Sequence, residues 1–231
     1  MHKIIFLYKS SSSFSIYFNF IRTKILNIFI KRKIVNYKRD HQLLLTKKKI
    51  TNNFFSSHAF NFFYYLNKLK PNFDYLEIGS YEGNSSIFIS NTFPESNIYC
   101  VDNWVKTEEY INHVSFSDIE SNFDYNTADH KNIYKIKNNS DNFFLKNKKM
   151  FDVIYIDGHH LGSQVYKDCK NAWKFLNNGS YLICDDYIWD FYQNTKDNPC
   201  FAINSFLNEI TGYYKIQKIS NSQIFIKKIN S

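Results

Sequence analysis

A chain of 231 residues has room for one substantial core, one domain and an extension, and its formal charge of +8 at pH 7 would suit a nucleic-acid partner if it were spread over the surface. It is not spread: residues 1–50 hold 12 of the 29 Lys/Arg and a single acid, Asp40, which leaves 17 bases against 20 acids in the rest. The body of the protein is slightly acidic, so nucleic acid is not expected as its partner, and any anionic partner should meet the first fifty residues.

Those fifty residues read as a basic amphipathic extension. Wound at about 100° per residue, the segment FSIYFNFIRTKILNIFIKRK gathers Phe14, Tyr17, Phe18, Ile21, Ile25, Ile28 and Phe29 on one face. Arg22 and Lys24 interrupt the apolar run, which argues against a spanning helix, and IIFLY after Lys3 is too short for a signal-peptide core. Two readings stand: a helix lying on an anionic membrane surface, or a leader docked on its own domain or partly disordered.

From residue 54 the aromatic-rich FFSSHAFNFFYYLNKLK reads as a helix ended by Pro71. Strand and helix patterns then alternate: FDYLEIG, a helix in NSSIFISNTF, NIYCVD, a polar helix from about Thr107 to Phe123, NIYKIK, a short helix from Ser140, FDVIYIDG, a helix from about Ser163 to Leu176, and SYLICDD. Five strands separated by helices predict a doubly wound α/β domain over residues 51–231, with a parallel sheet covered on both faces. YYKIQKI and SQIFIKKI, joined by SNS, break the alternation and predict an antiparallel pair at the sheet edge. Cys100, Cys169, Cys184 and Cys200 lack any C-x-x-C spacing and read as buried free thiols of a reducing, cytoplasmic compartment.

The stretch LEIGSYEGNSS follows the first strand, where a doubly wound sheet binds ligands. Gly79 and Gly83 allow a sharp turn and close approach to a ligand, but G-x-x-x-G is not the G-x-G-x-x-G that cradles a pyrophosphate. Glu77 sets a carboxylate beside the turn, and Asp102 ends the second strand at a position suited to a ribose diol. A nucleoside with a cationic tail fits both acids, and S-adenosylmethionine is such a molecule. Ordinary solvated strand-end carboxylates are the alternative.

With those acids in place, LEIGSYEGNSS resembles the first motif of class I S-adenosylmethionine-dependent methyltransferases, in the form found in catechol-type O-methyltransferases, where a tyrosine stands between the glycines. The resemblance covers residues 55–228. It implies a Rossmann-like seven-stranded sheet of order 3-2-1-4-5-7-6 with strand 7 antiparallel, in agreement with the terminal hairpin. It also implies S-adenosylmethionine held by Glu77, Gly79, Ser80, Tyr81, Gly83, Ser85, Asp102, Asn103 and Asp157, with Tyr81 and Ser85 near the methionine part. Ser140 matches a position that contacts adenine, and His159 is taken as the neighbour on the adenine side and His160 as the base, roles that the two histidines could also exchange. Trp104 either flanks the ribose or base or simply packs.

Asp157 ends the fourth strand and Asp185 and Asp186 end the fifth. Adjacent strands lie about 4.8 Å apart, so three acids converge with no Lys or Arg in either motif. Such a cluster raises its pKa values, pairs with cations or binds a metal, and all-oxygen ligands favour Mg²⁺ or another divalent cation. The alternative is one acid capping a helix and two solvated. The pattern resembles metal-dependent O-methyltransferases, which implies Asp157, Asp185 and Asp186 as metal ligands. His160 follows Asp157 by three residues and would act as the base on an acceptor hydroxyl. IDG-x-H resembles a branch that includes enzymes acting on sugars of natural products. His58, His113 and His130 have no such context.

The reading is therefore metal-assisted O-methylation of a small hydroxylated acceptor, with Tyr187, Trp189 and Tyr192 either touching the acceptor or packing in the core. A methyltransferase acting on nucleic acid through nitrogen would carry an Asn/Asp-Pro-Pro-aromatic stretch, and IDGHH has no proline. A non-catalytic or membrane-recruited S-adenosylmethionine-binding module is the other alternative.

Overall fold

The computed structural model describes residues 2–105 and 118–230. Among these, helices α1 (His2–Lys9), α2 (Phe14–Leu44) and α3 (Ala59–Leu66) precede β1 (Asp74–Ile78), α4 (Asn84–Thr92) and β2 (Asn97–Asp102). After them come α5 (Ile119–Thr127), β3 (Ile133–Lys137), α6 (Ser140–Lys146), β4 (Phe151–Ile156), α7 (Gly162–Lys174) and β5 (Leu176–Cys184). The chain ends with α8 (Pro199–Glu209), β6 (Tyr214–Ile219) and β7 (Ile224–Lys228). His113 and most of the polar helix expected from Thr107 lie outside the described residues.

The strands form one sheet of order β3-β2-β1-β4-β5-β7-β6. β1–β2, β2–β3 and β4–β5 pair in parallel, whereas β7 runs antiparallel to β5 and to β6. This is the expected Rossmann-like order. Tyr75, Leu76 and Ile78 of β1, and Val153, Ile154 and Tyr155 of β4, are all buried, as central parallel strands covered on both faces must be. Ile156 pairs with Cys184, so Asp157 and Asp185 leave adjacent strands at the same edge.

Two helices and one strand differ from the sequence pattern. α3 starts at Ala59, because residues 54–58 form a turn in which the His58 amide donates to the Phe55 carbonyl (2.7 Å). Leu176 opens β5 instead of closing α7, and the β4–β5 register jumps between Phe151 and Val153 where Gly179 adopts φ +79°. α8 was not anticipated. Pro199 sits in its first turn, and Cys200, Ile203, Phe206 and Leu207 form its buried face.

The structure divides into two compact units, one comprising Ile30–Asn139 and the other Met1–Phe29 with Ser140–Ser231. The division falls inside α2. In the second unit Phe6, Leu7, Ile16 and Phe20 are buried, and Asn204 Nδ2 donates to the Ser10 carbonyl (2.8 Å) and Ser12 Oγ (3.0 Å). The start of the chain is thus docked on its own unit, but not through the face its periodicity singled out. Phe14, Phe18, Ile21, Ile25, Ile28 and Phe29 are exposed. Among the described residues no helix is long and apolar enough to cross a membrane. All four cysteines are free and buried.

Candidate active site

β1 delivers the chain into the glycine turn. Gly79, Tyr81 and Gly83 take φ of +87°, +48° and +81°; two of these cost a glycine little, but a tyrosine in the left-handed region is strained and marks a constrained site. Gly83 has a second reason to lack a side chain, because a Cβ there would meet Thr127 Cγ2 at 3.0 Å and Phe123 Cδ2 at 3.2 Å. Glu77 lies beneath the turn, fully buried, and accepts hydrogen bonds from the hydroxyls of Ser85 and Ser86 at the start of α4. Burial raises its carboxyl to about 7, against the opposing effect of those hydroxyls.

Asp102 holds the turn from the end of β2. Its Oδ2 accepts the amides of Ser80 and Tyr81 (both 2.9 Å), and its Oδ1 accepts the amide of Trp104 (2.8 Å). Burial raises its pKa, and these amides work against that rise. Trp104, itself at φ +49°, donates from Nε1 to the Tyr81 carbonyl (2.8 Å) and packs on Phe123 with centroids 4.9 Å apart. Asn103 accepts the Val105 amide (3.0 Å) and is exposed beside them.

The sequence reasoning missed Glu82, although a charged residue inside a glycine turn was the available signal. Fully buried, it accepts the amide (2.7 Å) and hydroxyl (2.8 Å) of Thr51 and Nδ2 of Asn122 (2.9 Å). Asn84 is held by His41 (2.7 Å) and donates to Asn53 (3.2 Å), and Asn52 Nδ2 lies 3.4 Å from Tyr81 Oη. Residues 41–53 therefore clasp the glycine turn from outside.

The second cluster stands at the ends of β4 and β5. One ligand atom each from Asp157, His160 and Asp186 lies within 4.8 Å of the others, and His160 Nε2 is 2.9 Å from Asp186 Oδ2. Asp186 sits at φ +50°, which aims its carboxylate at His160 and away from its neighbour's partners. Asp185, expected in the same ligand set, points elsewhere. Its Oδ2 accepts from Tyr155 Oη and Gln223 Nε2 (3.0 Å), while its Oδ1 accepts the Asp186 amide (2.8 Å). Tyr155 Oη also lies 2.8 Å from Asp157 Oδ2, so its one hydroxyl proton is shared between the two carboxyls. Burial first, then Asp185 and Asp186, push the Asp157 carboxyl well above the carboxylate range. The two carboxylates in this spacing, with an imidazole beside them, fit a divalent cation, which would relieve that repulsion.

The remaining expected residues separate clearly. Ser140 Oγ accepts from Gln164 Nε2 (3.2 Å), tying α6 to α7. His159 is exposed, and its Nδ1 accepts the Leu161 amide (3.0 Å) ahead of α7. Tyr187 is a core residue, fully buried and donating to Asn204 Oδ1 (2.6 Å). Trp189 instead stands against His160 (centroids 4.8 Å), stacked on Phe191 (4.8 Å) and edge-on to Tyr192 (6.1 Å).

Residues 76–187 match the family described as "Methyltransferase domain", a stretch that runs from the glycine turn through both acid-bearing strand ends. No curated protein matches the chain. Among solved structures it is similar to the O-methyltransferase TomG from Streptomyces achromogenes in complex with SAM (11% identity, TM-score 0.56, covering 85% of this chain and 89% of that one). It is also similar to the MycE methyltransferase of the mycinamycin biosynthetic pathway, in complex with Mg, SAH and mycinamycin VI (15% identity, TM-score 0.56, covering 85% of this chain and 54% of that one). At such identities the likeness concerns the fold. The sheet order is that of the Rossmann-like methyltransferase fold, and the matched stretch runs through its core strands.

Proposed function

We propose that the protein is an S-adenosylmethionine-dependent methyltransferase that methylates a hydroxyl of a small acceptor, such as a sugar or natural product, with the help of a divalent cation. The observation that carries this reading is the convergence of Asp157, His160 and Asp186 within 4.8 Å beside the Trp189 ring. The fold and glycine turn are what supports the cofactor.

When bound, S-adenosylmethionine supplies a methyl group on a sulfonium, and the cation polarises the acceptor oxygen. The chain's own residues do the rest. Glu77 and Asp102 place carboxyl groups at the turn, and Tyr81 and Ser85 line it. Mg²⁺ prefers oxygen donors, so the carboxylates of Asp157 and Asp186 hold the ion and His160 is left for proton work. The imidazole takes the hydroxyl proton, and Asp186 at 2.9 Å from Nε2 stabilises the imidazolium that forms. Trp189 and Phe191 offer an apolar wall for the acceptor and exclude water.

Calorimetry with S-adenosylmethionine, with and without Mg²⁺, followed by transfer assays on hydroxylated acceptors with and without chelator, tests the proposal. Absence of cofactor binding would end it. Binding with transfer indifferent to chelator would remove the metal and keep the methyltransferase. Binding without turnover on any hydroxylated acceptor would leave a binding module.

A further inference from the structure

Residues 14–29 of α2 present two opposite faces. The inner one carries Ile16, Phe20 and Thr23, all buried, and is fastened by the Ile219 amide donating to Thr23 Oγ1 (3.3 Å) and Lys218 Nζ donating to Asn27 Oδ1 (3.1 Å). The outer one carries Phe14, Phe18, Ile21, Ile25, Ile28 and Phe29, which are 52% to 84% exposed. A helix already anchored by one face has no internal reason to keep six large apolar side chains on the other. Contiguous apolar patches of this kind mark an interaction surface.

The charges around the patch identify what it meets. At about 100° per residue, Arg22 and Lys24 fall on its two flanks, and Lys31, Arg32 and Lys33 follow at its C-terminal end. Between Phe14 and Arg39 there is no acidic residue. A second copy of the chain would bring these bases against one another, and a protein groove would need an acidic rim on both sides. An anionic lipid surface supplies an apolar interior and a negative rim together, and long basic side chains reach back to phosphates while their helix lies in the interface. α2, with 31 residues, is long enough to span but not apolar enough.

We propose that the outer face of α2, residues 14–29, binds an anionic phospholipid surface with the helix in the membrane plane and its basic flanks at the headgroups. The proposal uses no residue of the glycine turn or of the Asp157 cluster, so it is independent of the reaction.

Sedimentation of the full-length protein with phosphatidylcholine vesicles, and with vesicles of equal parts phosphatidylcholine and phosphatidylserine, tests it. The protein should partition to the anionic vesicles and lose that binding as salt rises. Phe18→Asp with Ile25→Asp should lower partitioning by more than about tenfold, and Arg22→Gln with Arg32→Gln by about 25-fold. Both pairs are exposed, so circular dichroism and melting temperature should stay unchanged. The proposal is overturned if the protein ignores both vesicle types, if either double variant binds like the parent, or if neutral and anionic vesicles bind equally. A concentration-dependent dimer that Phe18→Asp abolishes, with no vesicle binding, would assign the face to a second copy.

Discussion

Trp104 donates its indole Nε1–H to the carbonyl of Tyr81 at 2.8 Å, and both residues lie in the left-handed region of backbone space. Asp102 binds the amides of both, so one carboxylate and one indole together hold a strained turn in place. Strain of this kind persists only when several contacts over-determine it. Trp104→Phe keeps the ring against Phe123 but deletes the donor. It should cost about 1 kcal/mol in denaturant unfolding and weaken S-adenosylmethionine binding several-fold in calorimetry; unchanged affinity would show that the turn does not depend on the indole.

Asp102→Asn should act more severely. An amide group offers one acceptor oxygen where the carboxylate offers two, so either the Ser80/Tyr81 amides or the Trp104 amide faces an N–H instead of an oxygen. A loss of about 1–3 kcal/mol is expected for the unsatisfied group, with cofactor binding lost beyond the calorimetric range. A variant as stable as the parent that still bound cofactor normally would remove Asp102 from both roles.

The buried Glu77 carboxyl makes a pH signature. Its folded pKa, about 7, lies above the ordinary value of 4.5. Between those values the folded state holds the proton more tightly than the unfolded state, so this contribution to stability is complete below pH 4.5 and is lost as pH rises through 7. Unfolding free energies of the parent minus those of Glu77→Gln should therefore fall across that window by a few kcal/mol at most. A flat difference would contradict the assignment.

The acid cluster separates ligands from supports. Asp157→Asn and Asp186→Asn should each weaken Mn²⁺ binding by roughly 10–100-fold, measured by the paramagnetic signal of the free ion. Asp185→Asn should weaken it less, because that carboxylate is committed to Tyr155 and Gln223. His160→Gln should leave Mn²⁺ affinity within a few-fold and abolish methyl transfer. If His160→Gln instead loses the metal, the imidazole is a ligand and the base must be sought elsewhere.

Gly83→Ala combines a φ of +81° with a Cβ 3.0 Å from Thr127 Cγ2. Gly212→Ala shares the positive φ, +93°, with nothing within 4 Å. Melting temperatures of the two should differ, the first falling further because α5 must also shift; equal losses would mean that α5 yields freely.

Much of this architecture was legible before any coordinates. Alternating apolar runs located the strands because central parallel strands must be apolar on both faces, and strand ends carried Glu77, Asp102, Asp157, Asp185 and Asp186 to sheet edges by chain order alone. The terminal hairpin was equally plain from two β-branched runs across SNS. α8 was hidden behind an irregular aromatic stretch, and Leu176 fell on a strand because its partner, Phe151, lies in another element.

What the chain order could not decide is where a side chain points and what covers it. Asp185 and Asp186 are neighbours in sequence, yet Gln223, 38 residues after Asp185, draws one away while the positive φ of the other turns it to His160. Glu82 became part of the site through Thr51, 31 residues before it. The apolar stripe of α2 was visible as a period, but a period marks a face without naming its partner. Composition and spacing are local properties that set elements and strand-end chemistry; contacts between distant segments exist only in the folded chain, and they decided which acids converge and which helix face was left outward.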